Sequence, residues 1–251
     1  MKPFFAAISF LTILRVPRTW CGGERAIAAS MTWYPLVGLL IGLFMAVLDK
    51  LLCWLLPGIL VPSALLVIAM IAISGGLHLD GVADSADAFM SSRSKERMLE
   101  IMKDSRTGPM GALAIVSLLL IKFSMLASLT GDWRSPVIVL MPLAGRTALV
   151  IKAVSMPYAR NHGLATLTHA HSHKGQGVVA TALLVLTSCL LLGMSGFWIT
   201  VTSVLTTGLF AMYCYRKIGG FTGDTLGATC ELVELAPAFT ALVCIQQGLL
   251  V

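Results

Sequence analysis

Long runs of apolar residues limit what this chain can fold into. Of its 251 residues, 57% are hydrophobic and only 12% are charged, which is more apolar than an ordinary soluble domain. A helix needs about 20 apolar residues to cross the hydrocarbon core of a bilayer, and several runs reach or approach this length. The sequence therefore predicts an all-α, polytopic membrane protein forming a single membrane domain over residues 1–251. The predicted spans are 33–56, 61–79, 110–130, 136–156, 177–193, 197–214 and 222–250.

The distribution of basic residues predicts how these spans are oriented. Residues 3–16 are apolar but too short to span, so we expect an interfacial or re-entrant helix there. With the N-terminus in the cytoplasm, most of the 18 basic residues fall on the cytoplasmic side, and the opposite side receives only Arg134. The net charge of +6 is then explained by topology, and we expect contact with membrane lipid but no nucleic-acid partner. Residues 177–193 and 197–214 should form a tight hairpin, because only four residues separate them.

Three aspartates follow directly after the second apolar run. Asp80, Asp84 and Asp87 are spaced at i, i+4 and i+7, which places them on one stripe of a helix. Like charges at this spacing repel each other, and carboxylates near hydrocarbon are costly, so a positive group should lie on the stripe. Carboxylate oxygens suit Mg²⁺, Mn²⁺ or Ca²⁺ better than Zn²⁺. The alternative is a solvated acidic helix end just outside the membrane.

A second acidic group enters the last predicted span. Asp224 stands at its cytoplasmic start, and Glu231 and Glu234 lie two and three turns deeper. Carboxylates at that depth are candidates for a functional site, although protonated glutamates that only hydrogen-bond between helices are the alternative. Gly223 and Gly227 continue a four-residue repeat beside Asp224, which favours either close helix packing or ligand access.

Several cations could bind an anionic substrate. Lys103 and Arg106 precede a predicted helix and could hold a phosphate, although ordinary cytoplasmic charge explains them equally well. Arg146 lies near the middle of the fourth span and should pair with a carboxylate or a substrate phosphate. Lys122 and Lys152 are weaker candidates, because a lysine can extend its amine towards the membrane surface.

The histidines carry less information than the carboxylates. His78 is within about two turns of Asp80 and Asp84, so it could orient a ligand or substrate, or simply pack between helices. His169, His171 and His173 alternate in a loop, an arrangement more often incidental than metal-binding.

Together these residues indicate a class of chemistry. Two acidic clusters facing one aqueous entrance, flanked by cations, are typical of a diphosphate held through divalent ions. A remaining carboxylate could act as general base on an attacking hydroxyl. The sequence thus predicts a Mg²⁺-dependent membrane transferase for a diphosphate-activated substrate.

Three stretches carry a specific resemblance. Residues 75–87, 97–106 and 219–228, the last followed by Glu231 and Glu234, resemble the cobalamin synthase family of adenosylcobinamide-GDP ribazoletransferases. The stretches occur in the order found in that family, and the similarity extends over nearly the whole chain. Residues 165–175 depart most from its pattern.

The resemblance implies a late step of cobalamin biosynthesis at the bacterial cytoplasmic (inner) membrane, with the active site facing the cytoplasm. Adenosylcobinamide-GDP would donate its phosphate-linked corrinoid to α-ribazole or α-ribazole 5′-phosphate, and GMP would leave. The candidate residues are Asp80, Asp84, Asp87 and Asp224 for Mg²⁺, Asp84, Glu231 and His78 for catalysis, and Lys103, Arg106, Arg146 and Gly223 for substrate binding.

Other readings remain open at this point. CDP-alcohol phosphotransferases and membrane prenyltransferases also use aspartates with Mg²⁺, but their usual spacings differ from that of residues 80–87. A divalent cation transporter would need acidic residues along a path to the far side, where Asp49 is the main acid. A homo-oligomer, or association with other corrinoid-assembly enzymes, is compatible with the sequence.

Overall fold

A computed structural model describes residues 1–104, 106–160 and 172–248, and these residues form a bundle of helices. Within these ranges β-pairing is limited to one isolated bridge between Tyr158 and Phe221. The helices are α1 Lys2–Leu11, α2 Arg18–Cys21, α3 Glu24–Ala29, α4 Tyr34–Leu55, α5 Leu60–Ser74, α6 Leu77–Phe89, α7 Lys95–Ile101, α8 Pro109–Ser128, α9 Arg134–Ser155, α10 Lys174–Ile218 and α11 Gly223–Gln246. Short 3₁₀ turns, Ser30–Trp33 and Gly131–Trp133, precede α4 and α9.

Helix α9 is the centre of the bundle. It packs against α4, α10 and α11, and most of its side chains are buried, as expected for a helix that is apolar on all sides. Gly38 and Gly42 of α4 allow the closest approach, since a Cβ at Gly42 would lie 2.2 Å from the carbonyl oxygen of Val139. Small residues at such a crossing allow two membrane helices to pack backbone to backbone.

The predicted polytopic helical architecture is confirmed. Among the described residues, five helices are long and apolar enough to cross a membrane, or six if a bent pair counts as one span. The short N-terminal helix predicted within residues 3–16 is α1, which has only 10 residues.

The predicted second span, 61–79, is wrong as a continuous helix. Helix α5 ends at Ser74, and α6 starts at Leu77 with its axis bent by 91°. Gly75 and Gly76 have φ values of +61° and +73°, a left-handed conformation that glycine adopts without steric cost. The three aspartates therefore belong to a separate helix rather than to the end of a span.

Helix α10 contains the predicted hairpin. Its backbone is non-helical at Leu192 and Gly193, and the hydroxyl oxygens of Ser188 and Thr200 lie 2.9 Å apart. In a straight helix, residues twelve apart are separated by about 18 Å. The chain therefore folds back on itself, and residues 174–191 and 194–218 form the two arms of α10.

A buried ion pair joins three helices at the end of the bundle away from α6. Arg134 of α9 donates to both carboxylate oxygens of Asp49 of α4, at 2.6 and 2.9 Å, and to the hydroxyl of Ser63 of α5 at 3.1 Å. Arg134 also donates to the carbonyl of Leu126. The basic residue assigned to the far side of the membrane is therefore inside the protein.

The buried pair of Arg134 and Asp49 predicts a larger loss of stability on mutation than an exposed ion pair does. Arg134→Met should lower the free energy of unfolding by about 3–5 kcal/mol, because it leaves the Asp49 carboxylate buried without its partner. The matched control is Arg97→Met, which removes an exposed pair with Glu100 and should cost less than about 1 kcal/mol. Denaturant unfolding in detergent micelles measures both variants, and equal losses would show that the Asp49 pair has no special weight.

Candidate active site

The two acidic groups meet where α6 crosses α11. A Cβ at Gly81 of α6 would lie 2.4 Å from the carbonyl oxygen of Asp224, and one at Gly227 of α11 would lie 3.1 Å from the carbonyl oxygen of His78. The two backbones are therefore in direct contact. A side chain at position 81 would force the helices apart, and one at position 227 would require a smaller shift.

This crossing brings together carboxylates that are far apart in sequence. Asp84 is half-buried and lies within electrostatic range of Asp80, Asp87 and Asp224. Asp80 is exposed at the edge of the group, and Asp224 is half-buried in the first turn of α11. The predicted meeting of the two acidic groups is found for these residues.

Arg160 is the cation that the sequence analysis missed. Its Nη2 donates to Asp224 Oδ2 at 2.7 Å, with the two side chains only 15% and 21% exposed. Its Nε is buried and has no hydrogen-bond partner within the described part of the chain. In the sequence, Arg160 is one of many cytoplasmic cations, and no spacing relates it to the aspartates.

A short backbone ladder fixes Arg160 beside α11. The N–H of Ala159 donates to the carbonyl of Phe221 at 2.8 Å, and the N–H of Phe221 donates to the carbonyl of Pro157 at 3.0 Å. Thr222 then caps α11, accepting a hydrogen bond from the N–H of Thr225. Arg160 and Asp224 are thus held by adjacent backbone segments.

Asp87 has a different environment from its neighbours on the stripe. Its two carboxylate oxygens accept hydrogen bonds from the N–H groups of Gly108, at 2.6 Å, and Gly111, at 2.9 Å. These amides belong to the start of α8, whose N-terminal N–H groups have no partners within the helix. Asp87 therefore caps α8, and its predicted role as a metal ligand stays a prediction.

The glutamates belong to a second, deeper cluster. Lys122 of α8 donates to Glu231 at 2.6 Å and to Glu234 at 2.7 Å, and Arg146 of α9 donates to Glu234. All four side chains are buried. The prediction that Arg146 pairs with a carboxylate is confirmed, whereas the low weight given to Lys122 as a surface-seeking lysine was wrong. Glu231, predicted to act as a base or metal ligand, is already paired with Lys122.

His78 lies beside this deeper cluster. It is buried, within electrostatic range of Arg146, Glu234 and Lys122, and its Nδ1 has no hydrogen-bond partner among the described residues. Its predicted catalytic role is untested.

Lys152 is also completely buried, contrary to the expectation that it would reach the membrane surface. Its amine donates to the carbonyl of Thr225 at 2.9 Å and to the hydroxyl of Thr229 at 2.8 Å, and lies 3.2 Å from the sulfur of Cys214. These contacts tie α9 to α10 and to the first turns of α11, which carry Asp224.

The predicted phosphate-binding cations lie outside both clusters. Arg106 is exposed and pairs with Asp104 through hydrogen bonds that lower the pKa of that carboxyl to about 2, and Lys103 is exposed. Gly223 is exposed at the first position of α11, with open space where a Cβ would stand.

The other glycines and histidines considered in the sequence analysis have separate places in the structure. Gly219, four residues before Gly223, adopts a left-handed conformation at the end of α10, whereas Gly227 packs against the backbone of α6. His173 caps α10. His169 and His171 lie outside the described residues.

The carboxylates at the crossing of α6 and α11 are of the type that binds a hard cation together with phosphate oxygens. Within the described ranges no three His, Cys, Asp or Glu side chains form a ready-made metal site. Mg²⁺ is usually held by one or two carboxylates, and water and substrate phosphates complete its octahedron. Asp84 and Asp224 are oxygen donors of this kind, and Asp80 lies exposed at the edge of the same group.

The fold and site together define a class: a helical, polytopic membrane protein with an acidic site at the crossing of two helices. Comparison with known sequences gives the family. A family model described as cobalamin-5-phosphate synthase matches residues 3–243, and the chain belongs to this family. The predicted resemblance is confirmed.

Individual relatives agree with this assignment. The adenosylcobinamide-GDP ribazoletransferase of Pseudomonas fluorescens is 39% identical over 237 residues, covering 94% of this chain and 97% of the relative. The protein of the same name from Pseudomonas putida is 40% identical over 242 residues, covering 94% and 96%, and that from Geotalea daltonii is 36% identical over 236 residues, covering 94% of each. No solved structure matches the chain.

The helix crossing makes a prediction about stability. Gly81→Ala should lower the free energy of unfolding by about 1–3 kcal/mol, because the new methyl group overpacks the contact with the Asp224 carbonyl. Gly208→Ala is the control, since a Cβ at Gly208 of α10 meets nothing within 4 Å, and alanine is preferred to glycine within a helix by about 0.5–1 kcal/mol. If denaturant unfolding in detergent gives the two variants equal stabilities, the close contact of α6 with α11 is not significant.

Proposed function

We propose that this chain transfers the phosphate-linked corrinoid of adenosylcobinamide-GDP to α-ribazole or α-ribazole 5′-phosphate, releasing GMP and forming adenosylcobalamin or its 5′-phosphate. The observation that carries the proposal is the group of Asp80, Asp84 and Asp224 with Arg160 beside it. The shared name of the relatives supports the choice of donor and acceptor. The bias of basic residues supports a site that faces the cytoplasm of a bacterial cell.

When the donor binds, the negative charges of its diphosphate and of the carboxylates must be compensated. A diphosphate would be repelled by the carboxylates alone, so Asp84 and Asp224 would hold Mg²⁺ together with phosphate oxygens. Bound there, the ion would supply neutralisation of the charge that develops on the leaving phosphate. Arg160 contacts Asp224 through Nη2, so its guanidinium places a positive charge beside the carboxylates where a phosphate would bind. Arginine suits this position because its planar fork can bind two oxygens at once.

The transfer breaks the phosphoanhydride bond of the donor's diphosphate and forms a phosphoester bond to the acceptor. The attacking hydroxyl oxygen of the acceptor ribose forms a bond to the phosphorus that carries the corrinoid. The bond from that phosphorus to the bridging oxygen breaks, and the bridging oxygen leaves as part of GMP. Asp80 accepts the proton of the attacking hydroxyl, because it is the exposed member of the group.

Asp84→Asn tests the metal assignment. The amide has no charge to hold the cation, so Mg²⁺-dependent turnover should fall by about a hundredfold or more. The assay uses purified protein in lipid nanodiscs with adenosylcobinamide-GDP and α-ribazole, following GMP and the corrinoid product with Mg²⁺ and then with EDTA. Asp132→Asn, at the exposed turn before α9, is the matched control and should retain turnover.

Each outcome of this assay has a distinct meaning. Unchanged turnover and metal dependence in Asp84→Asn would refute the metal assignment. Absence of product from folded wild-type protein supplied with Mg²⁺ would instead refute the proposed reaction.

Arg160→Gln tests the role of the missed cation. Loss of a charge-assisted hydrogen bond should raise the KM for adenosylcobinamide-GDP about tenfold or more, with the KM for α-ribazole unchanged. Arg160→Lys should fall in between, because lysine keeps the charge without the fork. The control is Arg93→Gln, an exposed cytoplasmic arginine. A parallel rise in both KM values would indicate that Arg160 only supports the fold around Asp224.

A further inference from the structure

A second feature of the site is an open cavity beside the acidic group. It has a volume of about 590 Å³ and lies between α1, the Gly75–Gly76 turn and the start of α8; we call it the α1–α8 groove. Pockets for small organic ligands have volumes of about 300–1,000 Å³. The groove therefore has room for a ligand the size of a nucleoside, whereas the neighbouring cleft at Asp87 and Asp104 measures only about 190 Å³.

The walls of the α1–α8 groove are of two kinds. Phe10, Leu77 and Ile115 supply apolar surface, and Asp80 and Thr107 supply polar groups. Asp80 also belongs to the acidic group at the helix crossing. A ligand in the groove would therefore touch the carboxylate that we assign as proton acceptor.

The aromatic wall is fixed before any ligand binds. The ring of Phe10 stacks on that of Tyr34, with centroids 5.8 Å apart and planes inclined by 20°. Tyr34 is buried, whereas Phe10 remains 49% exposed. Phe10 thus has a supported ring with open surface, and a flat aromatic ligand can stack on such a ring with little loss of conformational freedom.

The end of α1 is also anchored to the rest of the groove. The N–H of Ile13 donates to the carbonyl of Ile73 at 2.8 Å, and a Cβ at Gly75 would lie 3.1 Å from Ile13 Cγ2. The end of α1 is therefore in direct contact with the turn that leads to Asp80.

We infer that the α1–α8 groove binds the acceptor, an aromatic-base ribonucleoside, with its base on Phe10 and its ribose hydroxyl hydrogen-bonded to Asp80. This assignment rests on the proposed function, which supplies the acceptor. The base is flat and apolar, like the wall formed by Phe10 and Leu77. The ribose is polar, and Asp80 is the carboxylate that both the groove and the acidic group share.

The test is binding of α-ribazole without donor, measured by calorimetry on the full chain in nanodiscs, together with both KM values. Phe10→Ala should weaken α-ribazole binding and raise its KM about tenfold, as expected for loss of one base-stacking contact. The KM for adenosylcobinamide-GDP should not change. Phe10→Trp should retain binding, because it keeps an aromatic surface. Phe44→Ala removes an aromatic side chain of similar exposure, 55%, from the outer face of α4 and should leave every value unchanged.

The outcomes separate this inference from the proposed function. Wild-type affinity in Phe10→Ala, or a parallel rise in both KM values, would overturn the assignment of the groove. Turnover by wild type with no dependence on Phe10 refutes the groove but keeps the reaction. Binding that depends on Phe10 without any turnover keeps the groove and refutes the reaction. If Phe10→Ala does not fold, Phe10→Leu keeps the apolar volume and should give the same losses.

Discussion

The contact between the backbones of α6 and α11 is the constraint on which the site depends. Asp84 and Asp224 are 140 positions apart in sequence, and neither helix alone could form a group of carboxylates. Gly81 and Gly227 remove the side chains that would keep the helices apart. Close packing of α6 against α11 thus holds the like charges together despite their mutual repulsion.

Elsewhere in the bundle, buried charges are compensated within the protein. Two cations and two carboxylates form the deeper cluster around Glu234, and Arg134 pairs with Asp49 at the other end. These buried charges are paired because a single unpaired charge in a membrane is costly. The group at Asp84 is different, since Arg160 is the cation that pairs directly with it among the described residues. The group of Asp80, Asp84 and Asp224 therefore keeps an excess of negative charge.

The sequence predicted correctly those features for which a residue pattern is compatible with only one local structure. Apolar runs predicted the helical bundle, and the i, i+4, i+7 spacing predicted that Asp80 and Asp84 share a helix. It failed where the geometry depends on backbone conformation or on tertiary contacts. The bend at Gly75 and Gly76 needs two consecutive left-handed residues, which a hydropathy pattern does not reveal. Arg160 reaches Asp224 through a bridge between residues 157–159 and Phe221, and no local spacing encodes that contact.

Asp87 shows that one sequence motif can combine two unrelated requirements. It stands a single turn beyond Asp84, yet it holds the start of α8 through Gly108 and Gly111. Selection on such a motif would preserve Asp84 for its charge and Asp87 for its geometry, and an alignment would display the two identically. An aspartate-rich signature can therefore contain a residue that fixes helix geometry beside one that contributes charge. In this fold Asp87 connects α6 to the start of α8.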